Sequence, residues 1–402
     1  MNARTKLGSR WTRVMGWMAA VGAASVLAAC GGGGGSTAAD GSLRVAVTDA
    51  PSCGYDHVYV TIQKVSVNQS STASDTDSGW TDLTLTPARQ VDLLSLTNGV
   101  LEELGTIPLA AGHYSQIRLV LASNTGSGTT ALANSVQPTG GALTALTTPS
   151  GQQSGLKLQA NFDVQPGQMA DVVLDFDACA SIVKAGNSGQ YILKPVISVI
   201  ERLVSGLQGF VGATLATAST TVSAQLNGAT VRSTAPDSTG KFTIPYLAPG
   251  TYTLVVTSDG HATGVVTSVP VGTGTTAING TATAILTPVS AMADVTGAVT
   301  AVSGSSTVAI TDASARALQA LTGGPTIEVA KQPVDSTLGT YRFHLPVAAP
   351  VKAAYSTTAL TFAADTAVAG KYTIEIQAPS RTTQTKPADI SSGTGATVNF
   401  AY

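Results

Sequence analysis

Charge is scarce in this chain. Asp, Glu, Lys and Arg together make up 11% of its 402 residues, and the formal net charge is −2. Without a basic excess, the electrostatic footprint of a nucleic-acid binder is missing. After residue 30 no apolar run of about 18 residues occurs, so the body holds no candidate membrane-spanning helix. The motifs of common hydrolases are absent too. There is no Gly-x-Ser-x-Gly elbow, no His-Glu-x-x-His, and no Gly-rich loop placed to cradle a phosphate. Cysteine is rare, with three in all. What the chain has instead is Ala and Val dispersed among Thr, Ser and 42 Gly. Small and β-branched residues with little charge suit secreted all-β proteins. The length allows two to four domains.

The first thirty residues read as an address. Arg4, Lys6, Arg10 and Arg13 form a basic start without an acid, and Val14 to Ala28 is an apolar stretch too short for a comfortable span. The segment ends in Leu27-Ala28-Ala29-Cys30, which resembles the box of bacterial lipoproteins. That resemblance implies cleavage before Cys30 and acylation of its thiol and amine, hence stable anchoring by several chains. Gly31 after the cysteine implies sorting to the outer membrane. Removing residues 1–29 takes away four basic side chains and no acid, leaving 17 against 23, a net of −6. Residues 30–41 then make the lipidated Cys and a flexible linker. As a random coil, its Gly-rich part reaches roughly 20 Å.

Cys53 and Cys179 remain. In an oxidising envelope an even pair reads as a disulfide, with two buried free thiols as the alternative. The bond would close a loop of 126 residues, for which loop entropy gives on the order of 4–5 kcal/mol.

Alternation organises the rest. Val58, Val60 and Ile62 alternate with Tyr59, Thr61 and Gln63, and the parity then shifts to Val65 and Val67. A half-buried strand with a bulge near Lys64 is expected. Ile117, Leu119 and Leu121 predict a second strand, and Val172, Leu174 and Phe176 a third, facing opposite to Asp171, Asp175 and Asp177. Val196 and Val199 belong to a closing strand. Val91 to Leu96 can form a helical turn. Asn124 to Gly155 reads mostly as loop, with a short strand near Leu143 to Leu146. Ala315 to Leu321 fits helix or strand. Three domains follow: 42–205, 208–289 and 291–402, as tandem all-β sandwiches of immunoglobulin or transthyretin type. A Gly-x-Tyr pattern recurs at Tyr114, Tyr191, Tyr252, Tyr341 and Tyr372. It is expected to place a ring over a sandwich end after a turn glycine; a sugar-binding tyrosine ladder is the alternative.

Two stretches resemble known families. Gly41 to Pro51 (GSLRVAVTDAP), Val91 to Gly99 (VDLLSLTNG), Gly112 to Leu119 (GHYSQIRL), Pro149 to Leu158 (PSGQQSGLKL), Leu174 to Asp177 (LDFD) and Leu193 to Val196 (LKPV) are ordered motifs. They resemble a domain of unknown function found in bacterial and archaeal lipoproteins, which implies no activity. The two cysteines are not part of that pattern. Ser238 to Tyr252 (STGKFTIPYLAPGTY), running on to Gly260 and His261, resembles the carboxypeptidase regulatory-like, transthyretin-type sandwich. That implies a fold and an extracellular setting, not a reaction. Leu338 to Phe343 and Gly370 to Ile374 echo it in the third domain.

Among candidate chemistry, Asp175 and Asp177 share one face of a strand, and Asp49 flanks the loop holding Cys53. Were Cys53 and Cys179 bonded, these acids would converge on a hard-cation site, with Ca²⁺ the natural occupant. The alternative is that Asp49 makes a turn before Pro51 and the others are solvated or bonded to backbone. No Asp-x-Asp-x-Asp-Gly loop supports the metal, and no other cofactor is implied. His57, His113, His261 and His344 are spread over all three domains, which argues against a nucleophilic triad. The expectation is a non-catalytic lipoprotein of the outer membrane, anchored by Cys30. It would serve as a structural, adhesive or ligand-binding module for an envelope or extracellular protein or glycan. The alternatives are an enzyme accessory or hydrolase with an unrecognised acidic site, or a calcium-dependent binder using Asp49, Asp175 and Asp177.

Overall fold

Among the described residues the alternating segments become strands arranged in six sheets around three apolar cores, read as three sandwiches. The structure is a computed structural model and describes residues 40–49, 54–124, 132–149, 155–217 and 219–402. The expectations for the signal, for Cys30 and for Cys53 lie outside the described residues. The described residues are almost entirely β, as the alternation requires, and belong to one compact unit.

In the first sandwich, Gly41–Asp49 is sandwiched in a four-stranded sheet between Glu102–Leu109 and Met169–Phe176. It runs parallel to Met169–Phe176, so Thr48 faces Asp175 and Asp49 faces Phe176. The facing sheet is built on Tyr55–Asn68, whose register against both neighbours shifts between Ile62 and Lys64. That is the bulge the parity change predicts. Val58, Val60, Ile62, Val65 and Val67 are all within 1% of full burial. Ile117, Leu119 and Leu121 lie in Gly112–Leu121, and Leu93–Ser95 forms a 3₁₀ turn where a helical turn is expected. The stretch read mostly as loop contains two strands, Ser135–Pro138 and Thr144–Thr147. Its small polar residues hide the first, because alternation over four residues is too short a signal.

The second sandwich pairs a three-stranded with a six-stranded sheet, and the third a five-stranded with a four-stranded sheet. Ala315 to Leu321 resolves as strand, in Ser314–Ala320, with Ala315 and Ala317 fully buried. Gly297 interrupts the apolar alternation of Met292–Ser303 because a Cβ there would run into the Val398 carbonyl and the Tyr341 ring.

The expected boundary near 290 is crossed by the chain. Val351–Ala354 leaves the third sandwich and adds in parallel to Gly264–Val271 of the second, with Val351 opposite Gly264 and Ala354 opposite Thr267. Tyr355 Oη then donates to the Ala277 carbonyl at 3.2 Å, and Tyr355, Leu360 and Phe362 pack on the second core. The chain returns to the third sandwich at Lys371–Gln377. A small apolar cluster of Val255, Val265, Leu321 and Ile327 seals the same boundary.

Four of the five Gly-x-Tyr tyrosines, Tyr114, Tyr252, Tyr341 and Tyr372, are buried with paired hydroxyls, while Tyr191 is half-buried. Tyr114 donates to the Ala110 carbonyl at 3.0 Å and Tyr252 to that of Ala248 at 2.9 Å, each four residues upstream. Tyr372 donates to Pro346 across the third sandwich at 2.6 Å. Burying the ring while pairing the hydroxyl is the usual settlement for tyrosine, and these four rings form no exposed ladder.

Candidate functional site

The sequence-marked acids gather where the first sandwich meets the other two. Asp175 sits at the end of Met169–Phe176, and its carboxylate lies 3.3 Å from Nη2 of Arg232, on Ala229–Thr234 of the second sandwich. Their side chains are 13% and 5% exposed. Burial pushes the Asp175 carboxyl above its usual range, and the Arg232 charge opposes it. Burial likewise pulls the guanidinium below its usual value. The guanidinium also lies 5.6 Å from the centre of the Tyr246 ring, a cation–π contact.

Asp177 caps the one-turn helix Ala178–Ser181, accepting from Ala180 N at 2.9 Å. Asp49 Oδ1 accepts from Ala178 N at 3.0 Å. Two carboxylates therefore satisfy the N–H groups at the start of one short turn. Burial raises the Asp177 carboxyl, the Ala180 N–H and the Lys331 charge lower it, and Glu328 raises it further. Asp49, Asp175 and Asp177 thus hold different partners and not one shared position. Among the described residues no group of three or more His, Cys, Asp or Glu side chains is placed to hold a metal. The turn also carries Cys179, which is disulfide-bonded; its expected partner, Cys53, is outside the described residues.

The histidines stay apart. His57 Nδ1 is 2.6 Å from Asp92, His113 Nδ1 is 2.9 Å from Asp163, and His261 Nδ1 is 3.1 Å from the Thr287 carbonyl. His344 Nδ1 lies 2.8 Å from Asp294, and its Nε2 is 3.7 Å from Asp259 of the second sandwich. Among the described residues, no hydroxyl or thiol is hydrogen-bonded to any of these rings.

Several residues of the junction escaped the sequence reading. Gln225 and Glu328 exchange two hydrogen bonds between the second and third sandwiches: Gln225 Nε2 donates to the Glu328 carbonyl at 2.7 Å, and Glu328 N to Gln225 Oε1 at 2.8 Å. Arg316 spans Glu328 and Glu375, the latter at 2.7 Å, and donates to the Gly228 carbonyl. Asn98, in the Thr-Asn-Gly piece of a quoted motif, joins first to second. Its N–H donates to Thr234 Oγ1 at 2.9 Å, and its Oδ1 accepts from Thr243 N at 3.1 Å. The Asn-Gly pair signals a turn, and Asn98 has φ +58°. Nothing in that signal says what the turn grips. First and third are joined where Asp335 accepts from Gly186 N at 3.0 Å and Lys194 Nζ donates to the Thr311 carbonyl at 2.7 Å. Two clefts remain open between these two, of about 980 and 830 Å³.

Residues 40–195 match the domain of unknown function DUF4382, and residues 208–283 match the carboxypeptidase regulatory-like domain. The order is the one the motifs imply. No curated protein matches the chain. Among solved structures, an N-terminal interface mutant of a type II cohesin–X-dockerin complex from Acetivibrio cellulolyticus is 25% identical over 21% of this chain, with a TM-score of 0.18. The match spans 58% of that structure's chain. The Bacillus anthracis TIE protein is 14% identical over 90% of this chain and 50% of its own, at a TM-score of 0.18. The major pilin subunit BcpA of Bacillus cereus is 11% identical over 90% of this chain and 99% of its own, at 0.14. Among the described residues no helix is long and apolar enough to cross a membrane.

Proposed function

We propose that this chain is a non-catalytic binding module of the bacterial cell envelope, held at the outer membrane by a lipid on Cys30. The observation that carries the reading is the locking of three sandwiches by polar contacts at every pairwise boundary, buried between second and third, buried or part-buried between first and second, and part-buried between first and third. Such locking suits a platform that presents surfaces in fixed relation, because each buried pair would be left unsatisfied if the domains swung apart. Asp175, Arg232, Arg316 and Glu328 at the junction are occupied in holding it. The basic start, short apolar run and Leu27-Ala28-Ala29-Cys30 support the anchor.

Metabolic labelling with a fatty acid, followed by membrane fractionation, tests the anchor. The wild-type chain is expected to carry label in the outer-membrane fraction, and Cys30→Ser to lose both label and fraction. Unlabelled wild-type protein would overturn it. A hydrolase panel tests the other half: product release abolished by a single Asp→Asn change would replace the binding reading with an enzymatic one.

A further inference from the structure

The two clefts between the first and third sandwiches run against the charge of the whole. Residues 30–402 carry a net −6, yet the larger cleft is lined by Lys157, Lys194 and Lys331 against Asp312 alone. Among the described residues the smaller takes Lys184 and Lys331 against Asp335, its Arg342 being already paired with Asp294 at 2.7 Å. Asp335 is already engaged by the N–H groups of Gly186, Thr337 and Leu338. Among the described residues, the lysines in ion pairs are Lys64 and Lys352, neither of which lines these two clefts. Lys157, Lys184 and Lys331 therefore line the clefts with no carboxylate within 4 Å, Lys331 also lying near enough to Asp177 to lower its carboxyl, and Lys331, Gln332 and Pro333 line both clefts.

We propose that these clefts form one binding site for an acidic polysaccharide, whose carboxylates are neutralised by Lys157, Lys184 and Lys331. The proposal rests on the binding-module reading above and names its ligand class. The volumes fall in the range of about 300–1,000 Å³ that receives small ligands, here successive sugar units. Lysine offers a mobile point charge, which suits carboxylates spaced along a polymer better than the fixed bidentate fork of arginine. An added peptide strand fits less well. Pro149, Pro195, Pro333 and Pro379 line the larger cleft and have no N–H to donate to a β-ladder. In the smaller cleft the Tyr55 ring, braced edge-on by Tyr191 at 6.2 Å, supplies an apolar wall for a sugar face.

The test uses the full chain in detergent, titrated with polygalacturonate, neutral dextran and poly-glutamate at low and high salt. Polygalacturonate is expected to bind at low salt, to weaken about tenfold or more at high salt, and to exceed both other polymers. Combining Lys157→Gln, Lys184→Gln and Lys331→Gln is expected to weaken it by about tenfold or more, while Lys241→Gln leaves it unchanged. Each single variant is measured too, after its melting temperature matches wild type, so misfolding of the triple variant does not decide the result. No polygalacturonate binding at low salt, binding untouched by the three substitutions, or preference for poly-glutamate or dextran would each overturn the proposal. Shortening of the polymer during the titration would sink the non-catalytic reading while leaving the cleft assignment standing.

Discussion

Asp175 and Arg232 face each other at 3.3 Å across the boundary of the first and second sandwiches, both almost fully buried. Removing one partner leaves the other charge stranded in a low-dielectric site. Asp175→Asn and Arg232→Leu are each expected to cost about 3–5 kcal/mol, whereas an apolar double replacement of similar volume costs less than either. Denaturant unfolding of the three variants checks this. A double variant as unstable as the sum of the singles would refute the pairing.

The same burial gives a pH signature. Asp175 and Asp177 have carboxyls raised above 3.8 by burial. The folded state then holds protons that the unfolded chain has released, so their contribution is most favourable below 3.8 and declines as pH climbs through the raised values. Asp237, Asp294 and Asp389, held low by hydrogen bonds, act oppositely and lose their stabilisation as pH falls through their lowered values. Comparing wild type with Asp175→Asn across mildly acid to neutral pH isolates the first term. The stability gap between them should narrow as pH rises; a gap that widens would contradict the raised carboxyl.

The strand Val351–Ala354 binds the second and third sandwiches into one folding unit. A chain cut after residue 290, which keeps the whole matched region 208–283, lacks the strand that covers the edge of Gly264–Val271. It is expected to lose amide protection at Val265 and Thr267, whose N–H groups point at the missing strand, and to aggregate through the bared edge. Hydrogen exchange on the cut and full chains measures this, and equal protection would show that the added strand is dispensable.

Gly297→Ala probes the close approach in the third sandwich. The new Cβ meets the backbone of Val398, which cannot swing aside, so a cost of about 1–3 kcal/mol is expected. A thermal melt reads it directly, and an unchanged midpoint would argue against that packing.

For the cysteines the expected pairing is Cys53 with Cys179. Cys53→Ser should then free one thiol at Cys179 and lower stability by about 4–5 kcal/mol on the loop-entropy account. Thiol titration of unreduced protein before and after the substitution decides it. Reactive Cys53 in the wild-type chain would rule the pairing out.

Period-two patterning over Val58 to Val67 and Val172 to Phe176 was enough to read the strands, a bulge at Lys64 and the sandwich class, because side-chain direction in a strand follows directly from residue parity. The turn glycines before Tyr114 and Tyr372 marked corners for the same local reason. The sequence also brought Asp49, Asp175 and Asp177 under suspicion together, since parity puts two on one expected strand face and the third flanks a cysteine, but the strand ends at Phe176 and Asp177 caps the helix after it. Their partners were another matter. Whether Asp175 meets a cation, water or Arg232, and whether Asp177 feels Lys331, depends on residues dozens to more than a hundred positions away, placed by the docking of separate sandwiches. The detour of Val351 to Ala364 into a neighbouring sheet has the same origin: an edge strand's pattern records that it pairs, and the assembled sheets decide with what.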